Sequence, residues 1–253
     1  RHGIHWLSSP FDESAVDFLE KFSPLAYKIA SFEIIDLPLI RHAASTGRPL
    51  IISTGMASAE EIDCAVLAAR ETGCTELTLL KTNSGYPAAL DEMNLLALKT
   101  LREEWHAGVG LSDHSPGATA AAVAVGLGAT IIEKHIMLEA DGSAVDGSFS
   151  ATPTEFKNYV QAVRDAAAVR GLPAFGPTEG EMAQLRLRPS LRAIRAIRPG
   201  ETVNDTNVKS LRPAGGLPPD MLGSLSGWVS SEPIELGQAI TWENIQPAEE
   251  PDS

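Results

Sequence analysis

The sequence predicts an α/β fold, namely a (β/α)8 barrel of the TIM type followed by a small domain of short strands and turns. Over the first two thirds of its 253 residues, short apolar runs rich in β-branched residues alternate with longer segments of helical period. Strict alternation of buried strands and helices predicts parallel strands joined by right-handed crossovers. The closed form of that arrangement is a barrel, which carries its active residues at the carboxyl ends of the strands.

Six segments are predicted to be strands, and helices are predicted between them. The strands are IHWLSS, AYKIAS, PLIIST, LTLLKT, VGLSD and TIIEKH, and the helices are ESAVDFLEKF, LPLIRHAAST, SAEEIDCAVLAARETG, LDEMNLLALKTLREEW, GATAAAVAVGLGA and PTEFKNYVQAVRDAAAVRG. A closed barrel of this type has two strands more. Because an open barrel would leave unpaired strand edges, we expect the first two strands to precede Arg1, so that the sequence lacks them.

The composition changes near residue 172. Residues 1–172 are predicted to form the partial barrel, and residues 173–187, rich in Gly and Pro, to form a linker. Residues 188–245 carry many turn signals and short apolar pairs, which predict a compact second domain. Residues 246–253 are predicted to be a disordered acidic tail.

Charge and hydropathy exclude several classes of protein. The net charge of −13 argues against nucleic acid or an anionic membrane as a partner, because both require clustered Lys and Arg. No apolar run approaches the ~18 residues of a membrane span. The beginning, RHGIHWLSSP, lacks the layout of a signal peptide, and there are only two cysteines, without CxxC spacing. We therefore expect a cytoplasmic protein.

Two consecutive predicted strands each end in a histidine. In VGLSDH, the period of two places Ser112 and His114 on one face, and in TIIEKH it places Glu133 and His135 on one face. Neighbouring parallel strands lie ~5 Å apart, so the two imidazoles are predicted to reach one divalent metal. Two protein ligands leave positions for water and substrate, as in a catalytic site. A lone histidine at a strand end is more often a hydrogen-bonded structural group.

Lysines, hydroxyl groups and carboxylates end the other strands. They are Lys28, Ser31, Glu33, Ser53, Thr54, Lys81, Asn83, Ser84 and Tyr86. Lysines interspersed with hydroxyl donors suit a phosphate or a carboxylate, although a lone lysine is more often a solvated rim residue and Ser-Thr-Gly more often a helix cap. Asp146, in DGSFS, is equally consistent with a carboxylate that binds a sugar hydroxyl and with an aspartate that caps a loop.

These segments resemble the sialic acid (nonulosonic acid) synthase family, whose enzymes make nine-carbon acids from phosphoenolpyruvate and an N-acetylated amino sugar. The matching segments are SSPFD, YKIASFE, IISTGMAS, LLKTNSGYPA, VGLSDHS, IIEKH and DGSFS, and RPGETVNDTNVKSLRPAGGL resembles the antifreeze-like (SAF) domain of that family. Within the family, YKIASFE and LLK are most similar to pseudaminic acid synthases. The resemblance covers nearly the whole chain.

The resemblance implies a reaction and a set of site residues. C3 of phosphoenolpyruvate attacks the sugar aldehyde, water adds at C2, and phosphate leaves. A divalent metal (Mn²⁺, Mg²⁺ or Co²⁺) would be held by His114 and His135. The residues implied to be catalytic are His114, His135, Glu33 and Lys28, and those implied to bind substrate are Lys28, Ser31, Ser53, Ser84, Tyr86, Ser112, Asp146 and Arg212. Arg212 belongs to the small domain, which in this family caps the barrel of a partner subunit, so a domain-swapped homodimer is expected.

Three features depart from the family pattern. A glutamate on the first barrel strand and a lysine on the second are absent from the sequence. Thr82 and Asn83 replace the Cys-Thr of the usual KCTS, and Pro189 replaces the second arginine of an expected Arg-Arg-Ser. We therefore expect this chain alone to turn over slowly or not at all.

Two alternatives remain open at the level of sequence. The same chemistry would serve an N-acetylneuraminate or legionaminate synthase, or a spore-coat polysaccharide enzyme, with another sugar. A non-catalytic carbohydrate-binding remnant would bind no metal at His114 and His135.

Overall fold

The structure, a computed structural model, describes residues 4–138 and 145–248. The chain forms two compact units, which are divided in sequence between Leu172 and Pro173.

The first unit is built on a five-stranded, wholly parallel sheet in the order β1-β2-β3-β4-β5. The strands are β1 (Tyr27–Ile29), β2 (Leu50–Ser53), β3 (Leu77–Thr82), β4 (Gly108–Asp113) and β5 (Ile131–Lys134). The helices are α1 (Glu13–Glu20), α2 (Leu37–Ser45), α3 (Ala59–Glu71), α4 (Ala97–Trp105), α5 (Thr119–Gly126) and α6 (Pro153–Arg170). Sequential order with helical crossovers is the half-barrel arrangement of a β/α fold.

The prediction of a strand at IHWLSS is wrong, whereas the other five predicted strands are confirmed. Ser8 makes an isolated parallel bridge to Tyr27, and the carbonyl oxygens of Trp6 and Ser8 accept hydrogen bonds from Leu25 and Lys28. Ile4 is 85% exposed, so its side chain contributes little to the core. The segment therefore runs beside β1 without enough paired backbone to form a strand, and the predicted count of eight is not confirmed.

The helices begin where the sequence offers capping groups. Ser58 caps α3, and Thr152 caps α6, each in a capping box with the glutamate three residues later. The predicted helix LDEMNLLALKTLREEW is interrupted, because Asn94 has a φ of 47° in the left-handed region. The segment forms a 3-10 turn at Leu90–Glu92 and then α4.

The register of the sheet decides which side chains face the site. Gly110 pairs with Ile131, Ser112 with Glu133, and Asp113 with Lys134. Register neighbours on parallel strands project to the same side, and successive residues project to opposite sides. The side chains of Ser112 and Glu133 therefore share one face of the sheet. The opposite face packs against the helices in an apolar core that includes Ile29, Leu50, Ile52, Leu79 and Leu111.

The second unit contains two antiparallel pairs around its own apolar core. The pairs are β6 (Ser190–Ala193) with β7 (Val208–Leu211) and β8 (Trp228–Ser230) with β9 (Ile245–Pro247). The core includes Leu191, Ile197, Val208, Leu225, Ile234 and Ile240. Short strands with many turns agree with the composition of this part of the chain.

Two predicted boundaries differ from the structure. The predicted linker holds a 3-10 helix at Glu179–Leu187, which the capping box of Thr178 and Glu181 begins. The second domain extends past its predicted limit at residue 245, because Gln246 and Pro247 pair with β8. Residues 249–253 of the predicted tail lie outside the described residues. In the ranges that the structure does describe, no helix is long and apolar enough to cross a membrane.

Candidate active site

A cavity of about 380 Å³ lies at the carboxyl ends of the five parallel strands. Most of the side chains that the sequence predicts for the site line it, namely Lys28, Ser31, Ser53, Tyr86, Ser112, His114 and His135. Glu133, Thr82, Phe32, Ser9 and Lys134 line it as well. The strand ends therefore converge on one cavity, as expected for a β/α fold.

Lys28 is a buried cation that lines this cavity. Its ammonium lies 3.5 Å from a carboxylate oxygen of Glu133. Burial lowers the pKa of Lys28, and the negative charge of Glu133 opposes that shift. Glu133 also accepts a 2.5 Å hydrogen bond from the Ser112 hydroxyl, so one carboxylate joins β4 to β1 across the cavity.

The hydroxyl groups of Ser31 and Ser84 meet at Gly55. Gly55 donates its backbone N–H to the Ser31 hydroxyl at 3.2 Å. A Cβ added at Gly55 would lie 2.3 Å from the Ser84 hydroxyl oxygen and 2.7 Å from that of Ser31. Glycine in the Ser-Thr-Gly motif therefore allows the hydroxyls of Ser31 and Ser84 to approach each other.

Three buried polar atoms of the predicted site have no hydrogen-bond partner among the described residues. They are the hydroxyl oxygens of Ser53 and Ser84 and one carboxylate oxygen of Glu33. A buried polar atom without a partner costs free energy, so its presence needs a reason. A bound ligand that supplies oxygen atoms and hydroxyl groups at these positions would satisfy all three.

The two histidines lie side by side, with ring centroids 5.2 Å apart. The Nδ1 atom of His114 lies 2.8 Å from the backbone carbonyl oxygen of Asn83, so Nδ1 carries the proton and Nε2, 3.5 Å from the Ser112 hydroxyl oxygen, keeps its lone pair. The Nδ1 atom of His135 lies 3.6 Å from a carboxylate oxygen of Asp146. Burial lowers the pKa of His114, and the nearby His135 lowers it further, which favours the neutral ring.

These two rings fit the requirements of a divalent metal. Metal-binding histidines usually donate their second ring nitrogen to a carbonyl or carboxylate, and both histidines have such a group nearby. Within residues 4–138 and 145–248, no cluster of three or more His, Cys, Asp or Glu side chains is arranged around a metal position. The donor set is thus two imidazoles, and other ligands would be water or substrate.

Two aromatic rings pack beside the histidines, and one of them, Tyr86, lines the cavity. The ring of Tyr86 lies 4.3 Å from His114 and 4.8 Å from Phe149, and Phe149 lies 5.0 Å from His135, measured between centroids. Burial raises the pKa of Tyr86, so its hydroxyl stays protonated at neutral pH. The cavity therefore has a charged end at Lys28 and an aromatic end at Tyr86, whose ring packs against Phe149 outside the cavity lining.

The Thr-Asn pair that departs from the family pattern supports the loop after β3. The Asn83 carboxamide oxygen accepts a hydrogen bond from Gly85, and its amide donates to the carbonyl of Glu92. Thr82 is buried and donates to the carbonyl of Leu80. Because the backbone carbonyl of Asn83 also accepts a hydrogen bond from His114, the Thr-Asn pair helps to position the site in this chain.

Four predicted site residues lie outside the cavity lining. The Ser84 hydroxyl lies near Gly55, next to that of Ser31. Glu33 sits in the 3-10 helix Ser31–Ile35, where its charge acts on Lys28. Asp146 reaches the cavity only through His135. Arg212 follows β7 in the second unit, so its predicted contact with the substrate stays a prediction.

Glu133 and Phe149 are the site residues that sequence reasoning left without a role. The strand period placed Glu133 on the face of His135, and its contact with Lys28 follows only when β1 and β5 curl toward each other. Phe149 follows Asp146 in DGSFS. Its place against two imidazoles depends on the course of the loop before α6, which no periodicity encodes.

Comparisons with known proteins identify both units. The model of the NeuB family matches residues 1–173, and the model of the SAF domain matches residues 188–246. A pseudaminic acid synthase from Campylobacter jejuni is 41% identical over 238 residues, covering 94% of this chain and 69% of that protein. An N,N'-diacetyllegionaminic acid synthase from Legionella pneumophila is 34% identical over 249 residues, covering 96% of this chain and 70% of that protein.

A solved structure agrees with these matches. Spore coat polysaccharide biosynthesis protein E from Chromobacterium violaceum superposes with a TM-score of 0.76 at 29% identity, covering 97% of this chain and 74% of that chain. The similarity that the strand-end motifs predicted is thereby confirmed. The chain belongs to the NeuB family of enzymes and carries a SAF domain after its β/α unit.

Proposed function

We propose that this chain condenses phosphoenolpyruvate with an N-acetylated amino sugar to form a nonulosonic acid and inorganic phosphate. The observation that carries the proposal is the cavity at the strand ends, which joins a buried lysine, unpartnered hydroxyls and a pair of imidazoles. Relatives named as pseudaminic acid and legionaminic acid synthases support the reaction class.

Phosphoenolpyruvate belongs at the charged end of the cavity. The Lys28 ammonium and the hydroxyls of Ser31, Ser53, Ser84 and Ser112 supply the short donors that a phosphate and a carboxylate require. The unpartnered hydroxyls of Ser53 and Ser84 would gain their missing hydrogen bonds from these oxygens. The ligand thereby offsets a cost that the free protein bears.

His114 and His135 are the residues that would hold the divalent metal. When bound there, it acts as a Lewis acid toward the sugar aldehyde. The chain's contribution is to hold both rings in place, through the Asn83 carbonyl for His114 and the Asp146 carboxylate for His135. Mn²⁺, Mg²⁺ and Co²⁺ all fit this donor set together with oxygen ligands.

The amino sugar belongs at the aromatic end. Tyr86, which packs against Phe149, presents apolar ring surface to the carbon skeleton, and the Tyr86 hydroxyl, Asp146 and Glu33 are groups for the sugar hydroxyls. C3 of phosphoenolpyruvate bonds to the aldehyde carbon, a water oxygen bonds to C2, and the C2–O bond to phosphate breaks. Glu133, in contact with Lys28 and Ser112, is the carboxylate in position to take a proton from that water.

Among the sugars, a pseudaminic acid precursor is the proposed substrate. Relatives with that name are 40% and 41% identical to the chain, compared with 28% for an N-acetylneuraminate-9-phosphate synthase from Mus musculus. Comparing the rates with a set of mono- and di-N-acetylated amino hexoses tests the choice. A preference for a singly acetylated sugar would favour the alternative of an N-acetylneuraminate synthase.

Purified chain, Mn²⁺, phosphoenolpyruvate and this sugar set provide the test of the reaction itself. The enzyme is used at the same concentration as the substrates. Mass spectrometry is then expected to detect a nine-carbon acid, and a phosphate assay is expected to detect an equal amount of phosphate. His114→Gln is expected to abolish both signals. His42→Gln, a half-exposed histidine paired with Asp17 on α1, is the matched control and should keep them. Absence of product together with absence of phosphoenolpyruvate binding would contradict the proposal and favour a carbohydrate-binding remnant.

Three further properties are proposed with the reaction. The curled sheet is proposed to be part of a (β/α)8 barrel, as its sequential parallel order supports. A domain-swapped homodimer is also proposed, and it would bring Arg212 of one chain to the site of the other. Light scattering of the purified chain tests the dimer, and the effect of Arg212→Ala on the KM for the sugar tests the contact. The cytoplasm is the proposed compartment, in agreement with the free thiols of Cys64 and Cys74.

A further inference from the structure

Asp113 and Lys134 form an ion pair on the helix-facing side of the sheet, and Lys134 also lines the cavity of the proposed site. They are register neighbours on β4 and β5, and the Lys134 ammonium lies 3.7 Å from a carboxylate oxygen of Asp113. Their side chains are 0% and 5% exposed, respectively. Each residue directly precedes one of the two histidines, Asp113 before His114 and Lys134 before His135.

Every polar atom of this pair has a partner. One carboxylate oxygen of Asp113 accepts hydrogen bonds from the backbone N–H and the hydroxyl of Ser115, at 2.9 and 2.6 Å. The other accepts a 2.7 Å hydrogen bond from the hydroxyl of Tyr159 on α6. The Lys134 ammonium donates to the Ser115 carbonyl and lies 5.5 Å from the centre of the Tyr159 ring. We call these four residues the buried network.

The buried network cross-links the backbone around both histidines. Asp113 and Ser115 flank His114 on either side, and both are joined to Lys134 on the strand that delivers His135. Tyr159 joins the same carboxylate to α6. A change in the spacing of the two strand ends would therefore break several hydrogen bonds at once.

Stability alone is a weak reason for such a group. Burying two charges carries a desolvation penalty that their attraction does not reliably exceed, and apolar residues of similar size often serve the fold as well. A fully satisfied polar network does define one geometry, because displaced partners leave buried charges unpaired. A fixed arrangement of side chains is most important where two imidazole rings must bind the same ligand.

We propose that the buried network positions the two imidazole rings, so that Asp113 and Lys134 are positioning residues for His114 and His135. The effect on metal binding rests on the proposed function. The effect on the rings does not, since the orientation of His114 toward the Asn83 carbonyl is a property of the free protein.

The experiment compares variants of the full chain by long-range proton–nitrogen NMR of ¹⁵N-histidine, recorded in EDTA. His114→Gln and His135→Gln assign the signals. Lys134→Met removes the charge with little change in length, Lys134→Arg keeps the charge, and Tyr159→Phe removes only the hydroxyl that contacts Asp113. Arg48→Met is the matched control, because Arg48 forms a part-buried ion pair with Glu20 on the amino-terminal side of β1.

His114 of the wild type is expected to show the tautomer protonated at Nδ1. In Lys134→Met, the spectrum is expected to show an average of the two tautomers in place of that signature. Tyr159→Phe is expected to lose part of the signature. Lys134→Arg and Arg48→Met are expected to keep it. If Lys134→Met does not fold, Tyr159→Phe decides. An unchanged spectrum in the folded variants would overturn the inference, whatever the outcome for the reaction.

Mn²⁺ binding without substrate gives the second readout. Lys134→Met is expected to weaken it about tenfold, in the range known for residues that orient metal ligands, and Arg48→Met by less than about twofold. Wild-type protein that binds no Mn²⁺ would count against the proposed function, while the ring spectrum would still decide the positioning role.

Discussion

The Nδ1 atom of His114 lies 2.8 Å from the backbone carbonyl oxygen of Asn83, so the end of β4 is tied to the loop after β3. The bond directs the Nε2 atom of His114 away from Asn83 and toward the cavity side, where the Ser112 hydroxyl oxygen lies 3.5 Å from it. His114 is 3% exposed. His135 directly follows β5, the strand next to β4. A backbone acceptor thus sets the tautomer at the position where the proposed metal needs it.

Gly55→Ala is expected to weaken phosphoenolpyruvate binding about tenfold. The new Cβ would lie 2.3 Å from the Ser84 hydroxyl and 2.7 Å from that of Ser31, and at least one of them must move. Calorimetric titration measures the effect. Gly126→Ala adds a methyl group in open space near the end of α5 and should leave the affinity unchanged. Equal affinities for both variants would remove these hydroxyls from the anion site.

Lys28→Met is expected to raise the Kd for phosphoenolpyruvate by about 10- to 100-fold, since a charge-assisted hydrogen bond contributes about 1.5–3 kcal/mol. Lys99→Met removes an exposed lysine of α4 and should have no effect. Calorimetry of both variants, with thermal unfolding as the check on folding, makes the comparison. A Kd within twofold of wild type for Lys28→Met would place the phosphate elsewhere.

Phe149→Ala is expected to raise the KM for the amino sugar about tenfold and to leave the affinity for phosphoenolpyruvate unchanged, because Phe149 packs against Tyr86 and His135, which line the end of the cavity away from Lys28. Steady-state kinetics with each substrate varied in turn separates the two. Phe22→Ala, at an exposed position just after α1, is the control. Weakened binding of phosphoenolpyruvate alone would reverse the assignment of the two ends.

Stability in EDTA is expected to fall as the pH is lowered through about 6.5, the usual pKa of histidine. Burial lowers the pKa of His114, so below that pH the unfolded chain binds a proton that the folded protein resists. The stabilisation is complete above the unfolded pKa and is lost below it. Asn83, His135, Glu133 and Asp113 act on the ring in the folded state.

Urea unfolding of wild type and His114→Gln at pH 7.5 and 5.5 measures this contribution. The variant lacks the titrating ring, so its free energy of unfolding should fall less between the two values than that of wild type. Parallel losses in both proteins would show that His114 is not responsible.

Much of the fold follows from sequence periodicity. The runs from AYKIAS to TIIEKH have enough β-branched and apolar residues to define strands, and the register then fixes that Ser112 and Glu133 share a face. IHWLSS has the same local pattern, but a strand also needs a paired neighbour, and only Ser8 pairs. Tertiary pairing is not encoded in a six-residue window.

The site was predictable where it sits on strands and less so where it sits on loops. His114 and His135 follow directly from strand ends, and the structure brings their rings together. Phe149 and the backbone carbonyl of Asn83 depend on loop paths, and the contact of Lys28 with Glu133 depends on the curl of the whole sheet. Those features result from long-range packing.

The most direct test of the central claim is a crystal structure of the chain with Mn²⁺ and phosphoenolpyruvate, with anomalous scattering used to locate the metal. The expected result is one manganese peak bound by Nε2 of both His114 and His135, with the phosphate against Lys28. Manganese away from the histidines would contradict the account. So would phosphoenolpyruvate in the neighbouring cavity of about 570 Å³, against Pro116, Gly117 and Ala162 and away from Lys28.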